Sequence, residues 1–123
     1  MSDPLGGPLH HVAVRVEDVE RSLAFYAGFL GLRELRRFEA AGGPRSAWLQ
    51  AGGVVLMLER ALRGRGADEG SAHLLSFSVH DLGEAEARLR AAGVAIDDRT
   101  SQTLYFRDPD GHRIGLSDFA FET

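Results

Sequence analysis

The 123-residue chain contains no cysteine and no lysine. Without cysteine, disulfides, thiolate metal sites and a cysteine nucleophile are excluded. Without lysine there is no side-chain amine for Schiff-base chemistry. All 14 basic residues are arginine, a bias we attribute to codon usage. No apolar run approaches the roughly 18 residues of a membrane span. The opening MSDPLGGPL lacks both the basic start and the apolar stretch of a signal peptide, so a cytoplasmic protein is expected. Net charge is −4 with arginine and acidic residues interspersed, which leaves no basic stripe for nucleic acid. No glycine-rich loop has Walker or dinucleotide spacing, and there is no nucleophile elbow. His73, His80 and Asp81 fall on both faces of one strand without a matched serine, which argues against a hydrolytic triad.

The length suits one domain, and 44% hydrophobic residues suffice for a core. Residues 1–8, with Pro4, Gly6, Gly7 and Pro8, read as a mobile tail. From His10 to Val16 the pattern alternates. His10, Val12, Val14 and Val16 take one face and His11, Ala13 and Arg15 the other. Asp18 fits an N-cap, Val19, Leu23, Tyr26, Ala27 and Leu30 make a helical stripe, and Gly31 ends it. A strand at Leu32–Phe38 follows, then a turn region EAAGGPR. SAWLQAGGVVLMLER reads as two strands joined at Ala51–Gly53, and residues 60–72 as a polar linker.

Beyond the linker the pattern repeats. Leu74–Val79 is a strand, Asp81 an N-cap with Glu84 three residues on, and Leu82, Ala85 and Leu89 a second stripe ended by Gly93. Val94–Ile96 reads as a strand start, and two strands flank the turn DPDG. VRVEDV lies over FSVHDL, LGL over AGV, and GGVVLML over DGHRIGL. Each half is therefore strand, helix, then three strands. The expected fold is α+β, with two tandem βαβββ modules (residues 9–59 and 73–119) forming half-barrel sheets around a cleft. Such modules commonly complete their sheets by association, so a homodimer is expected.

The segments HVAVRVEDVERSLAFYAGFLGL, VVLMLE, FSVHDL and YFRDPDGHRIGL, spread from about Leu9 to Ser117, resemble the vicinal oxygen chelate superfamily. Its members include glyoxalase I, extradiol dioxygenases, fosfomycin resistance proteins and bleomycin-binding proteins. The resemblance implies the fold but not an activity, because the superfamily supports several chemistries. It also implies four metal-ligand positions, two per module. These fall here on His11, Met57, Leu74 and Gly115, and the internal repeat gives the same register. One donor of four remains, whereas zinc-type sites draw at least three from protein. A rearranged site would need His11, Glu59 and His73, with a bulge to turn His73 inward.

On these grounds the expected function is metal-independent binding of a small organic ligand, apolar or aromatic, with no metal or other cofactor. The alternatives are a metal-dependent lyase, isomerase or dioxygenase using the rearranged site, or a metal-free enzyme with His11 as acid/base. Candidate ligand-binding residues are His11, Arg15, Trp48, Val55, Met57, Glu59, Leu74, Tyr105 and Arg113. His11 offers an imidazole to the cleft or sits half-buried on a backbone partner, while His10 belongs to the helix side. Arg15 and Arg113 clamp an anion or form rim salt bridges. Val55, Met57 and Leu74 line a soft apolar pocket or pack sheet on sheet. Trp48 and Tyr105 stack on a flat ligand or belong to the core. Glu59 is a base, an acceptor or a solvated strand-end charge.

Overall fold

The computed structural model describes residues 4–62 and 73–121, in two units bounded as Met1–Arg65 and Gly66–Thr123. In the first unit β1 (His11–Arg15), β2 (Arg33–Ala40), β3 (Gly43–Ala51) and β4 (Val54–Glu59) form one sheet in the order β1-β4-β3-β2. β1 runs parallel to β4, and the other pairs are antiparallel. In the second unit β5 (Leu74–Ser78), β6 (Asp98–Arg99), β7 (Thr103–Arg107) and β8 (Arg113–Ser117) repeat the arrangement as β5-β8-β7-β6. Both sheets are mixed and neither closes into a barrel. The α+β reading therefore holds. Among the described residues no helix is long and apolar enough to cross a membrane.

Each unit packs a helix on one sheet face. Asp18 caps α1 (Val19–Leu23), its carboxylate accepting from the Arg21 N–H at 3.2 Å. Asp81 caps α2 (Leu82–Ala91) in the same way, accepting from the Glu84 N–H at 3.0 Å. Gly31 and Gly93 follow the helical segments at φ +88° and +74°, a left-handed conformation that costs glycine nothing. Under α1, Val19 and Leu23 meet the buried side chains of Ala47, Leu49, Leu56 and Leu58, and Tyr26 just beyond α1 is fully buried. Under α2, Leu89 meets Leu104, Phe106, Ile114 and Leu116. Each fully buried large apolar side chain contributes about 1.5–3 kcal/mol of transfer free energy. Arg37 on β2 ties sheet to helix, donating to Glu20 at 2.6 Å and to both oxygens of Glu34. Its hydrogen bonds hold the Glu34 carboxyl below the usual carboxylate range. That contribution is therefore present above the ordinary carboxylate pKa and fades as pH falls through the lowered one.

Four expectations change. The helical stripe does not stay α-helical to Leu30. From Ala24 to Phe29 the backbone is π-helical, with the Leu30 N–H donating to the Phe25 carbonyl, and Leu30 is only half-buried. The turn inside EAAGGPR shrinks to Ala41–Gly42, because β2 and β3 pair up to Ala40 and Gly43. Val94–Ile96 is not a strand. The Val94 N–H returns to the Leu89 carbonyl of α2, and sheet pairing starts only at Asp97 and β6. His10 does not sit across the sheet from His11, since the strand begins at His11 and the two rings touch. Of the expected linker, residues 63–72 lie outside the described residues, as do residues 1–3 of the expected tail.

The DPDG turn is built on Asp108, a buried carboxylate that accepts from the backbone N–H groups of Asp110 at 2.9 Å and His112 at 2.8 Å. Removing it strands two donors in the β7–β8 connection. Asp108→Ala is expected to lower unfolding free energy by about 1–3 kcal/mol in urea denaturation.

Candidate functional site

Strand pairing decides which side chains share the face that each helix leaves uncovered. In the first unit, Ala47 pairs with Leu58 and Leu49 with Leu56, and these go under α1. Their neighbours point the other way: Ser46 opposite Glu59, Trp48 opposite Met57, Gln50 opposite Val55. β1 brings His11 beside Val55, Ala13 beside Met57 and Arg15 beside Glu59. From β2, Arg33, Arg36 and Phe38 join them, opposite Gln50, Trp48 and Ser46. The expected residues His11, Arg15, Trp48, Val55, Met57 and Glu59 thus do share one helix-free face.

Their environments differ. His11 is exposed, and its Nδ1 lies 2.9 Å from His10 Nδ1, so one imidazole N–H donates to the other ring. Arg15 donates to the Leu62 carbonyl at 2.6 Å. Glu59 accepts a hydrogen bond from the buried Ser46 hydroxyl. Trp48 is half-buried, with its ring 5.0 Å from that of Phe38, and the Arg36 guanidinium lies 4.7 Å from the Phe38 centroid. Sequence reasoning passed over Arg36, Phe38 and Ser46. A bulge at Leu35 shifts the alternation of β2, so period-two counting along that strand misplaces Arg36 and Phe38.

The second unit presents an equivalent face of different chemistry. Leu74 pairs with Arg113, Ser76 with Gly115 and Tyr105 with Gly115, so all three expected residues of this module share it. Leu74 is 39% exposed. The Arg113 guanidinium stacks 4.2 Å from the Tyr105 centroid and lies 3.5 Å from Asp98. Thr103 donates to Ser117 at 2.9 Å. A Cβ at Gly115 would lie 3.0 Å from Ser76 Oγ, 3.3 Å from its Cβ and 3.4 Å from Thr103 Cγ2. That position is closed by its neighbours. A separate hollow of about 310 Å³ is lined by Arg90 and residues 94–99. Its charges are paired: Arg90 and Arg99 each hold Glu86 at 2.8 Å, Arg107 holds Asp97 and Arg113 holds Asp98. Arg90 first and Arg99 second keep the Glu86 carboxyl below its ordinary range.

The two sheets correspond strand for strand. His11 faces Val55 as Leu74 faces Arg113, and Ala13 faces Met57 as Ser76 faces Gly115. The model of the Glyoxalase/Bleomycin resistance protein/Dioxygenase superfamily matches residues 8–116. The chain belongs to this superfamily. It is 30% identical to Glyoxylase I 4 of Arabidopsis thaliana, over 94% of this chain and 76% of that one. It is 34% identical to a catechol-2,3-dioxygenase of Bacillus subtilis over 86% of this chain, but spans only 39% of that protein. Among solved structures, TnmS3, an antibiotic binding protein from Streptomyces sp. CB03234, superposes with a TM-score of 0.68 at 25% identity, covering 94% of this chain and 98% of that one.

The resemblance implies four metal positions in this chain. His11 carries a nitrogen donor, Met57 a thioether, Leu74 only methyls, and Gly115 no side chain. The bulge needed to turn His73 inward is missing, since the β5–β8 register runs unbroken from Leu74 to Ser78. His73 itself is exposed ahead of that strand. Within each unit, among the described residues, no three His, Asp or Glu side chains gather as a metal site requires. The closure at Gly115 is testable. Gly115→Ala is expected to cost about 1–3 kcal/mol by overpacking. Most of that is expected to return in a Ser76→Gly background, a coupling that a double-mutant cycle of urea unfolding measures.

Proposed function

We propose that the chain is a metal-independent binding protein for a small organic molecule of apolar or aromatic character. The observation that carries this reading is the donor set at the superfamily's metal positions. A divalent ion of the zinc, iron or manganese kind needs several nitrogen or oxygen ligands. Here those positions carry His11, Met57, Leu74 and Gly115, and a Cβ on Gly115 would press on Ser76 Oγ at 3.0 Å and on Thr103 Cγ2 at 3.4 Å. The residues present do not fit the ion.

What occupies the first unit's face instead suits an organic ligand. Val55 and Met57 offer soft apolar surface, and Trp48 and Phe38 offer ring faces. His11, Arg15 and Glu59 supply polar contacts at the margins of the same face. The likeness to an antibiotic binding protein over nearly the whole chain supports this reading.

Elemental analysis of protein purified without added metal is expected to find far less than one divalent ion per chain. Zinc, iron or manganese bound stoichiometrically, and removed by chelator together with ligand binding or activity, would overturn the proposal.

A further inference from the structure

We infer that the β2–β3 end of the first unit's helix-free face takes an aromatic anion, with its ring against Trp48 and Phe38, an acceptor oxygen on the indole N–H, and its negative charge beside Arg36. This rests on the small-molecule reading above and gives the ligand its chemical class.

The first observation is an unmet donor. Trp48 Nε1 is buried and has no hydrogen-bond partner among the described residues. Folded proteins leave few such groups, and each calls for an explanation. Two side-chain oxygens on the same face are already engaged. Gln50 Oε1 accepts from Arg33 at 2.8 and 3.3 Å, and Glu59 accepts from Ser46. The cross-strand neighbours of Trp48 are Met57 and Arg36, and its ring neighbour is Phe38, none of which brings a side-chain oxygen. An acceptor supplied from outside would satisfy the indole.

The second observation is unmet charge at the same place. The guanidinium of Arg36 lies over the Phe38 ring at 4.7 Å and that of Arg45 at 6.0 Å. Neither makes an ion pair or a side-chain hydrogen bond among the described residues, whereas Arg33 and Arg37 on the same strand do. Stacking holds a guanidinium by its face and leaves its N–H edge available to a carboxylate or sulfonate. An orphan donor, two adjoining rings and two unneutralised cations on a chain of net charge −4 together describe a flat, negatively charged guest. The hollow beside α2 makes the contrast, because each of its arginines is neutralised from within the unit.

Two probes with the same ring skeleton separate charge from shape: anilinonaphthalene sulfonate and the neutral phenylnaphthylamine. In the full chain, the sulfonate is expected to quench the emission of Trp48, the single tryptophan, saturably. It is expected to bind roughly tenfold more tightly than the amine, the scale of one charge-assisted hydrogen bond. Arg36→Gln and Trp48→Phe, read by probe emission and checked for folding by circular dichroism, should each abolish most of that preference. Equal affinity for the two probes, or a sulfonate preference that survives both substitutions, would overturn the inference and leave the small-molecule reading standing. Failure of both probes to bind saturably would overturn the two together.

Discussion

The pairing of β3 with β4 governs the first unit. Ala47, Leu49, Leu56 and Leu58 must all lie under α1, since each is buried and apolar and the helix is the cover at hand. Side chains alternate along a strand, so this commitment sends Ser46, Trp48, Gln50, Val55, Met57 and Glu59 to the other face in one step. A slip of one residue would reverse both sets, burying a carboxylate and an indole N–H under α1 while exposing four aliphatic side chains. β1 inherits its parity from β4 through the parallel register, which is why His11 and Arg15 fall beside Val55 and Glu59. The candidate site is thus a consequence of core packing.

The same parity rule acts in the second unit on different residues. Leu104, Phe106, Ile114 and Leu116 go under α2, and the opposite face receives Ser76, Thr103, Gly115 and Ser117 with Arg113 stacked on Tyr105. Two faces of equivalent geometry therefore differ in chemistry. One is aromatic and cationic with an unmet donor; the other is small and hydroxylated, with Thr103 bonded to Ser117 and Arg113 paired with Asp98. The positions that the resemblance implies as metal ligands fall on both, and of these Met57 in the first and Leu74 and Gly115 in the second carry no nitrogen or oxygen donor in the side chain.

Much of this was legible in the chain. The caps at Asp18 and Asp81, the glycine stops at Gly31 and Gly93, and the DPDG turn obey local rules, in which a few backbone groups near in sequence find their partners. The internal repeat carried the equivalence of His11 with Leu74 and Met57 with Gly115, which the strand registers reproduce. What escaped was non-local. Val94–Ile96 is apolar enough to be a strand, but the Val94 N–H is taken by the end of α2. Gly43 and Pro44 look like turn residues, yet they pair with Ala40 and Glu39 at a strand end where the register is already shifted. The bulge at Leu35 hid Arg36 and Phe38, because it changes which residues of β2 face Trp48.

By itself the sequence determined the βαβββ repeat, the superfamily, and the identities of His11, Met57, Leu74 and Gly115 at the positions the resemblance implies for a metal. Those follow from residue identity and periodicity, which are properties of the chain. Only the tertiary structure decided that His10 and His11 touch, that Glu59 is held by Ser46, that Ser76 closes the space at Gly115, and that the Trp48 N–H is buried without an acceptor. All but the first depend on where side chains of separate strands meet. That meeting is set by register and bulges, and one unpaired residue in a strand is enough to change it.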